Sequence, residues 1–157
     1  MTIALPDIFA VLLAVMLLMG AWTDIKTRTI ANELNAAIAL MAIGFWWACG
    51  EPIWPDIALR IGVAVALFAL FALLFMLKMM GGGDVKMIAA VALWLPLKAL
   101  FVMLTVMALA GGVITVFLMV RHRWRPNAER PEIPYGVAIA IGGLWVIANG
   151  LLTIPAA

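Results

Sequence analysis

Six apolar runs dominate the chain, at residues 8–22, 34–49, 57–77, 85–97, 99–120 and 137–154. Between them lie short stretches that are polar or carry Pro and Gly, at 23–33, 50–56, 78–84, the Leu95-Pro96 step and 121–136. A helix needs about 20 predominantly apolar residues to cross a hydrocarbon core of roughly 30 Å, and most of these runs approach that length. The pattern predicts an all-α membrane protein built as a bundle of six transmembrane helices. No connecting stretch is long enough to separate two domains, so residues 1–157 read as a single integral-membrane domain.

The fourth run is short for a span, and charge decides how to treat it. With six crossings and both termini outside the cytoplasm, Lys26, Arg28, Lys78, Lys86, Arg121, Arg123, Arg125 and Arg130 all face inward, leaving Arg60 and Lys98 outside. Removing one crossing would translocate the cluster at 121–130, against the positive-inside tendency. Composition agrees with a membrane location: 68% of the residues are apolar and 11% charged, far from the soluble balance. Asp7 ahead of the first run, and the lack of a basic segment before it, argue against a cleaved signal peptide, so the first helix is expected to remain. Trp22, Trp54, Trp94, Trp124 and Trp145 fall near run ends, where an amphipathic ring suits the headgroup layer.

Several chemistries drop out. A lone Cys49 forms neither an internal disulfide nor a thiolate zinc cluster, and the single His122 lies in a basic loop with no second histidine. The glycines before Asp84 lack the spacing of a phosphate-binding loop. Neither a metal or other cofactor nor a nucleic-acid partner is expected; the bilayer is.

The carboxylates remain. Asp7, Glu51 and Asp56 in outside turns, and Glu129 and Glu132 in the basic loop, read as solvated charge. Glu33 adjoins the start of the second helix, where an acid complements the helix dipole. Asp24 and Asp84 differ, because each closes or opens a predicted span at the same cytoplasmic boundary. An acid there is a candidate functional group by default. Each also has a plain structural role available: Asp84 as a helix N-cap after a glycine turn, Asp24 as a partner of Lys26 or Arg28.

Three ordered motifs then carry a resemblance. Gly81-Gly82-Gly83-Asp84 followed by Val85-Lys86-Met87 matches the GxGD pattern. Asp24-Ile25-Lys26-Thr27-Arg28-Thr29-Ile30-Ala31-Asn32 resembles the first aspartate motif of bacterial type IV prepilin peptidases. Ile133-Pro134-Tyr135-Gly136-Val137 resembles the opening of that family's last helix. The chain is most similar to the short form associated with tight-adherence, or Flp-type, pili. Longer members carry a cytoplasmic insertion with paired cysteines and also N-methylate the new pilin terminus; this chain has neither the insertion nor the cysteine pairs, so methyl transfer is not expected. Ala31 stands where the family usually has proline.

The resemblance implies an aspartyl endopeptidase of the bacterial inner membrane, working on prepilins or pseudopilins at the cytoplasmic face without a metal. Asp24 and Asp84 would be its catalytic pair. Gly81, Gly82 and Gly83 would let the backbone bend and approach an extended substrate. Arg28, Asn32, Lys86, Pro134, Tyr135 and Gly136 would shape the loops and the substrate site. Two other classes use similar residues. A proton-coupled transporter would place its carboxylates near the bilayer midplane, and a pilus-assembly scaffold would use the glycines for packing.

Overall fold

Helix α1, Leu5–Thr27, begins with Pro in its first turn and with Asp7, whose carboxylate accepts the Ala4 N–H at 3.0 Å. Proline suits that turn because its missing N–H would have no intrahelical partner. Lys26 lies in the last turn, where a cation meets the negative end of the helix dipole, and Arg28 stops the helix in the left-handed conformation (φ 56°). Helix α2, Asn32–Cys49, is closed by Gly50 at φ 67°, a conformation that costs glycine nothing. An irregular turn over Ile53–Ile57 leads into α3, Ala58–Met76. Then come α4, Gly82–Ala92, α5, Leu97–Arg123, and α6, Tyr135–Ala148, with a 3-10 turn at Leu151–Thr153. This computed structural model describes residues 4–123 and 133–153. Trp124, Arg125, Glu129, Arg130 and Glu132 lie outside the described residues.

The all-helical expectation holds, with six α-helices among the described residues. Three stretches are long and apolar enough to cross a membrane by length and composition: Leu5–Thr27, Ile53–Met76 and Leu97–Arg123. The fourth predicted span contracts. Its helix covers 11 residues, Gly82–Ala92, and is followed by a turn into Pro96. At 1.5 Å per residue it is about 16 Å long, half of a hydrocarbon core.

That short helix is nevertheless central. Helices α2, α3 and α6 all pack on α4, and α6 also packs on α1 and α5. Val85, Met87, Ile88, Val91 and Ala92 of α4 are buried, whereas α3 fully buries only Arg60 and Ala64, packs Val63, Leu67, Phe71 and Leu74 half-buried against the core, and exposes Val65, Phe68, Leu70 and Leu73. Without water to drive association, helices in a bilayer hold together by close packing, and small residues permit it. On α6 a Cβ at Gly142 would stand 2.7 Å from the Met103 carbonyl oxygen, and one at Gly143 would stand 2.6 Å from Leu17 Cδ1. Those two glycines let α5 and α1 close onto α6.

Two surface assignments are corrected. Trp94 is not a headgroup anchor: it is fully buried, stacks on Phe45 at 5.0 Å between centroids, and donates its indole N–H to the Ile38 carbonyl at 2.9 Å. The turn between α4 and α5 folds into the core because α4 is too short to carry Trp94 to a membrane surface. Glu51 is not a solvated charge either. It pairs with buried Arg60, whose guanidinium also donates to the Trp94 carbonyl at 2.7 Å. A buried cation needs both partners, since an unpaired charge is costly away from water.

Candidate active site

Asp24 sits in the last turn of α1 and is 5% exposed. Its Oδ2 accepts the backbone N–H of Gly136 at 2.8 Å. Gly136 is the second residue of α6, so this N–H is one of those a helix leaves without an internal partner, and it lies at the positive end of the helix dipole. One hydrogen bond therefore joins the end of the first helix to the start of the last.

Asp84 is the third residue of α4, not its cap. Gly81 occupies the N-cap position and the helix starts at Gly82, two residues before the aspartate. Asp84 is 7% exposed, and its Oδ1 is buried without a hydrogen-bond partner. It lies outside the three helices long enough to span a membrane and just ahead of the apolar run 85–97. Burial, and then the charge of Asp24, push its carboxyl up to about 7, with the Gly81 N–H opposing. Carboxylates 60 residues apart in sequence (84 − 24) thus stand within electrostatic reach at one end of the bundle.

Ile30 and two glycines hold this arrangement. A Cβ at Gly83 would meet Ile30 Cβ at 3.1 Å and the Ile30 backbone at 3.2 Å. One at Gly136 would meet Ile30 Cδ1 at 3.0 Å and both Cβ and Oδ2 of Asp24 at 2.9 Å. Ile30 is buried and lies between the turns that carry the two aspartates. The glycine run therefore does something other than bend: Gly81, Gly82 and Gly83 have no positive φ, and their value is close approach. A Cβ at Gly81 would stand 2.9 Å from Asp84 Oδ2, and one at Gly82 would stand 3.2 Å from the ring of Phe75.

The remaining predicted residues divide. Lys86 donates from Nζ to Asn32 Oδ1 at 2.7 Å, linking α4 to the first residue of α2. Pro134 caps α6 and Tyr135 begins it, so both support Gly136. Arg28 is exposed at the end of α1. Sequence reading missed Asn35, which is 5% exposed and donates its amide to the Gly83 carbonyl at 3.1 Å. A polar residue in the apolar run 34–49, one turn after Asn32, was the available signal. Among the described residues no three His, Cys, Asp or Glu side chains gather as a metal site.

A model of the type IV leader peptidase family matches residues 11–116, a stretch that holds both aspartates but not Gly136. The chain is also 26% identical over 145 residues to the prepilin leader peptidase/N-methyltransferase of Xanthomonas campestris pv. campestris. That alignment takes in 88% of this chain and 48% of the relative, so the chain spans about half the length of the curated protein it matches. No solved structure matches it. With the family match extending over most of the chain and across Asp24 and Asp84, the protein belongs to the type IV leader peptidase family.

Proposed function

We propose that the protein is a membrane aspartyl endopeptidase that removes the leader of Flp-type prepilins at the cytoplasmic face of the bacterial inner membrane, with Asp24 and Asp84 as its catalytic pair. The observation that carries the reading is the convergence of two buried carboxylates, each hidden from solvent yet close enough for one to raise the pKa of the other. Family membership supports the chemistry.

Two neighbouring carboxyls cannot both ionise cheaply, so the pair holds one proton between them. The ionised member takes a proton from water, and the water oxygen attacks the scissile carbonyl. The protonated member polarises the carbonyl oxygen and then protonates the departing amine. The Gly136 N–H holds Asp24 Oδ2 in place at the start of α6, while burial and the nearby Asp24 push the Asp84 carboxyl up to about 7, so that the pair can retain a proton near neutrality. The titration belongs to the pair as a whole. The mechanism uses no metal.

A transporter would need these carboxylates partway along a broken helix, whereas here they lie at helix ends on one side of the bundle. Co-expression with an Flp-type prepilin tests the proposal by gel mobility. A shortened product in the presence of the wild-type chain is expected; a prepilin left at full length would refute the peptidase reading.

A further inference from the structure

The side chain of Asp84 is held only locally. Its Oδ1 meets no donor, and the contact that favours its charge, the Gly81 N–H, belongs to the same glycine turn. The carboxyl therefore stands where the backbone of residues 81–83 puts it. Three successive glycines make that backbone pliant, and a helix of 11 residues adds little cooperative stiffness of its own.

The tie comes from α2. Asn35 donates its amide to the carbonyl of Gly83, the residue before Asp84, at 3.1 Å. At the far end of α4, Trp46 of α2 donates its indole N–H to the Leu93 carbonyl at 2.8 Å. The donors lie 11 residues apart on α2 (46 − 35) and the acceptors 10 apart (93 − 83), or about 16.5 and 15 Å at the rise of a helix. Two bonds at matched spacing keep α4 from sliding along α2. For stability alone, asparagine is a poor choice at position 35. It is 5% exposed within an apolar run and leaves its Oδ1 without a donor, a cost that leucine, of similar shape, would avoid.

We propose that Asn35 is a positioning residue for cleavage: its amide, acting through the Gly83 carbonyl, sets Asp84 against Asp24. The proposal rests on the peptidase reading. It gives each aspartate a backbone anchor on a second helix, since Asp24 is held by the Gly136 N–H of α6.

Asn35→Leu separates positioning from stability. Losing the unpartnered amide should leave the unfolding midpoint in detergent unchanged or higher. The kcat on an Flp-type prepilin should nevertheless fall at least about tenfold, because a loosened carboxyl is misplaced by part of an ångström. The KM should stay within about twofold, since Asn35 acts on the chemistry and not on binding. The alkaline limb of the pH profile should move to lower pH, because a carboxyl free to leave its neighbour feels less of the Asp24 charge. Asn35→Ala removes the same bond without added bulk and should show the same loss of kcat and the same shifted limb. Thr105→Val, which takes a hydroxyl from the exposed side of α5, should change none of these. Hydrogen exchange reads the anchor without turnover. Amides at 81–88 should exchange about tenfold faster in either Asn35 variant, the factor that one ordinary hydrogen bond represents, while those of α6 keep their rates. Wild-type kcat in both variants, or lost activity with an unmoved alkaline limb and unchanged exchange at 81–88, would overturn the proposal. Should the wild-type chain cleave no prepilin, the peptidase reading fails, and the exchange rates still decide whether Asn35 anchors the turn that carries Asp84.

Discussion

At the residue scale, the two aspartates are separable from their structural roles by substitution. Asparagine keeps an oxygen for the Gly136 N–H and is nearly the size of aspartate, but it can neither take water's proton nor share one. Asp24→Asn and Asp84→Asn should each lower cleavage at least about a thousandfold while the protein stays in the membrane at normal level. Near wild-type processing by either variant, read on the same gel, would return that residue to a packing role. The sign of the pH response follows from Asp84. Its carboxyl titrates at about 7 rather than 3.8, so it keeps the shared proton well above the ordinary range and loses it as pH rises through about 7. The kcat/KM should therefore decline on the alkaline side; a flat profile across neutrality would contradict the shared-proton pair. Gly136 gives a sharper geometric test. A methyl there would collide with Cβ and Oδ2 of Asp24 at 2.9 Å, whereas one at Gly112 meets nothing within 4 Å. Because misplacement of a catalytic group by about 1 Å costs on the order of 100-fold, Gly136→Ala should lose most activity and Gly112→Ala almost none.

At the element scale, the hydropathy pattern located the helices well where each is long and apolar, as in α1, α3 and α5, because their outward faces need nothing but lipid. It failed where tertiary contacts set the boundary. The run 85–97 gave no sign that its last residues would leave the helix and fold Trp94 beneath Phe45, since a buried strip and a lipid-facing strip are equally apolar. The aspartates were legible through motif and topology, but Asn35 was not, because its importance depends on Gly83 lying across from it. The departure at Ala31 has a structural answer. Ala31 caps α2 at φ −60° and ψ 140°, within the range a proline ring imposes, and its side chain is exposed. The backbone already has the shape proline would enforce. Ala31→Pro should accordingly preserve processing and stabilise the protein by about 0.4–1 kcal/mol through a less flexible unfolded chain. Thermal unfolding in detergent measures this, and a lower midpoint would show that the turn uses the Ala31 N–H or lacks room for the ring.

At the scale of the whole molecule, the polar residues sort to two ends, and α4 joins them despite its length. At one end Asn35 holds Gly83, Lys86 holds Asn32, and Asp24 meets Gly136. At the other, Trp46 donates to the Leu93 carbonyl at 2.8 Å and Arg60 bridges Glu51 and Trp94. Helix α4 thus runs parallel to α2 between the same two ends, with the turn after Ala92 completing the distance. The expected six-crossing topology takes α4 and that turn together as one crossing. It also accounts for Arg60, one of two basic residues on the predicted outer side, because a cation paired with Glu51 and buried adds no free charge there. Reporter fusions test the topology as a whole. Fusions after Arg28, within residues 79–83 and after Arg125 should report the cytoplasm, and fusions at Glu51 and Ala157 the outside. The fusion after Arg125 discriminates, because it follows α5 and its sign depends on whether α4 crosses. If α4 were a re-entrant piece, α5 would begin on the cytoplasmic side and carry the basic cluster outward. An outside signal at Arg125 with a cytoplasmic signal at 79–83 would therefore reject the six-crossing bundle, while leaving the meeting of Asp24 and Asp84 to be judged by their own substitutions.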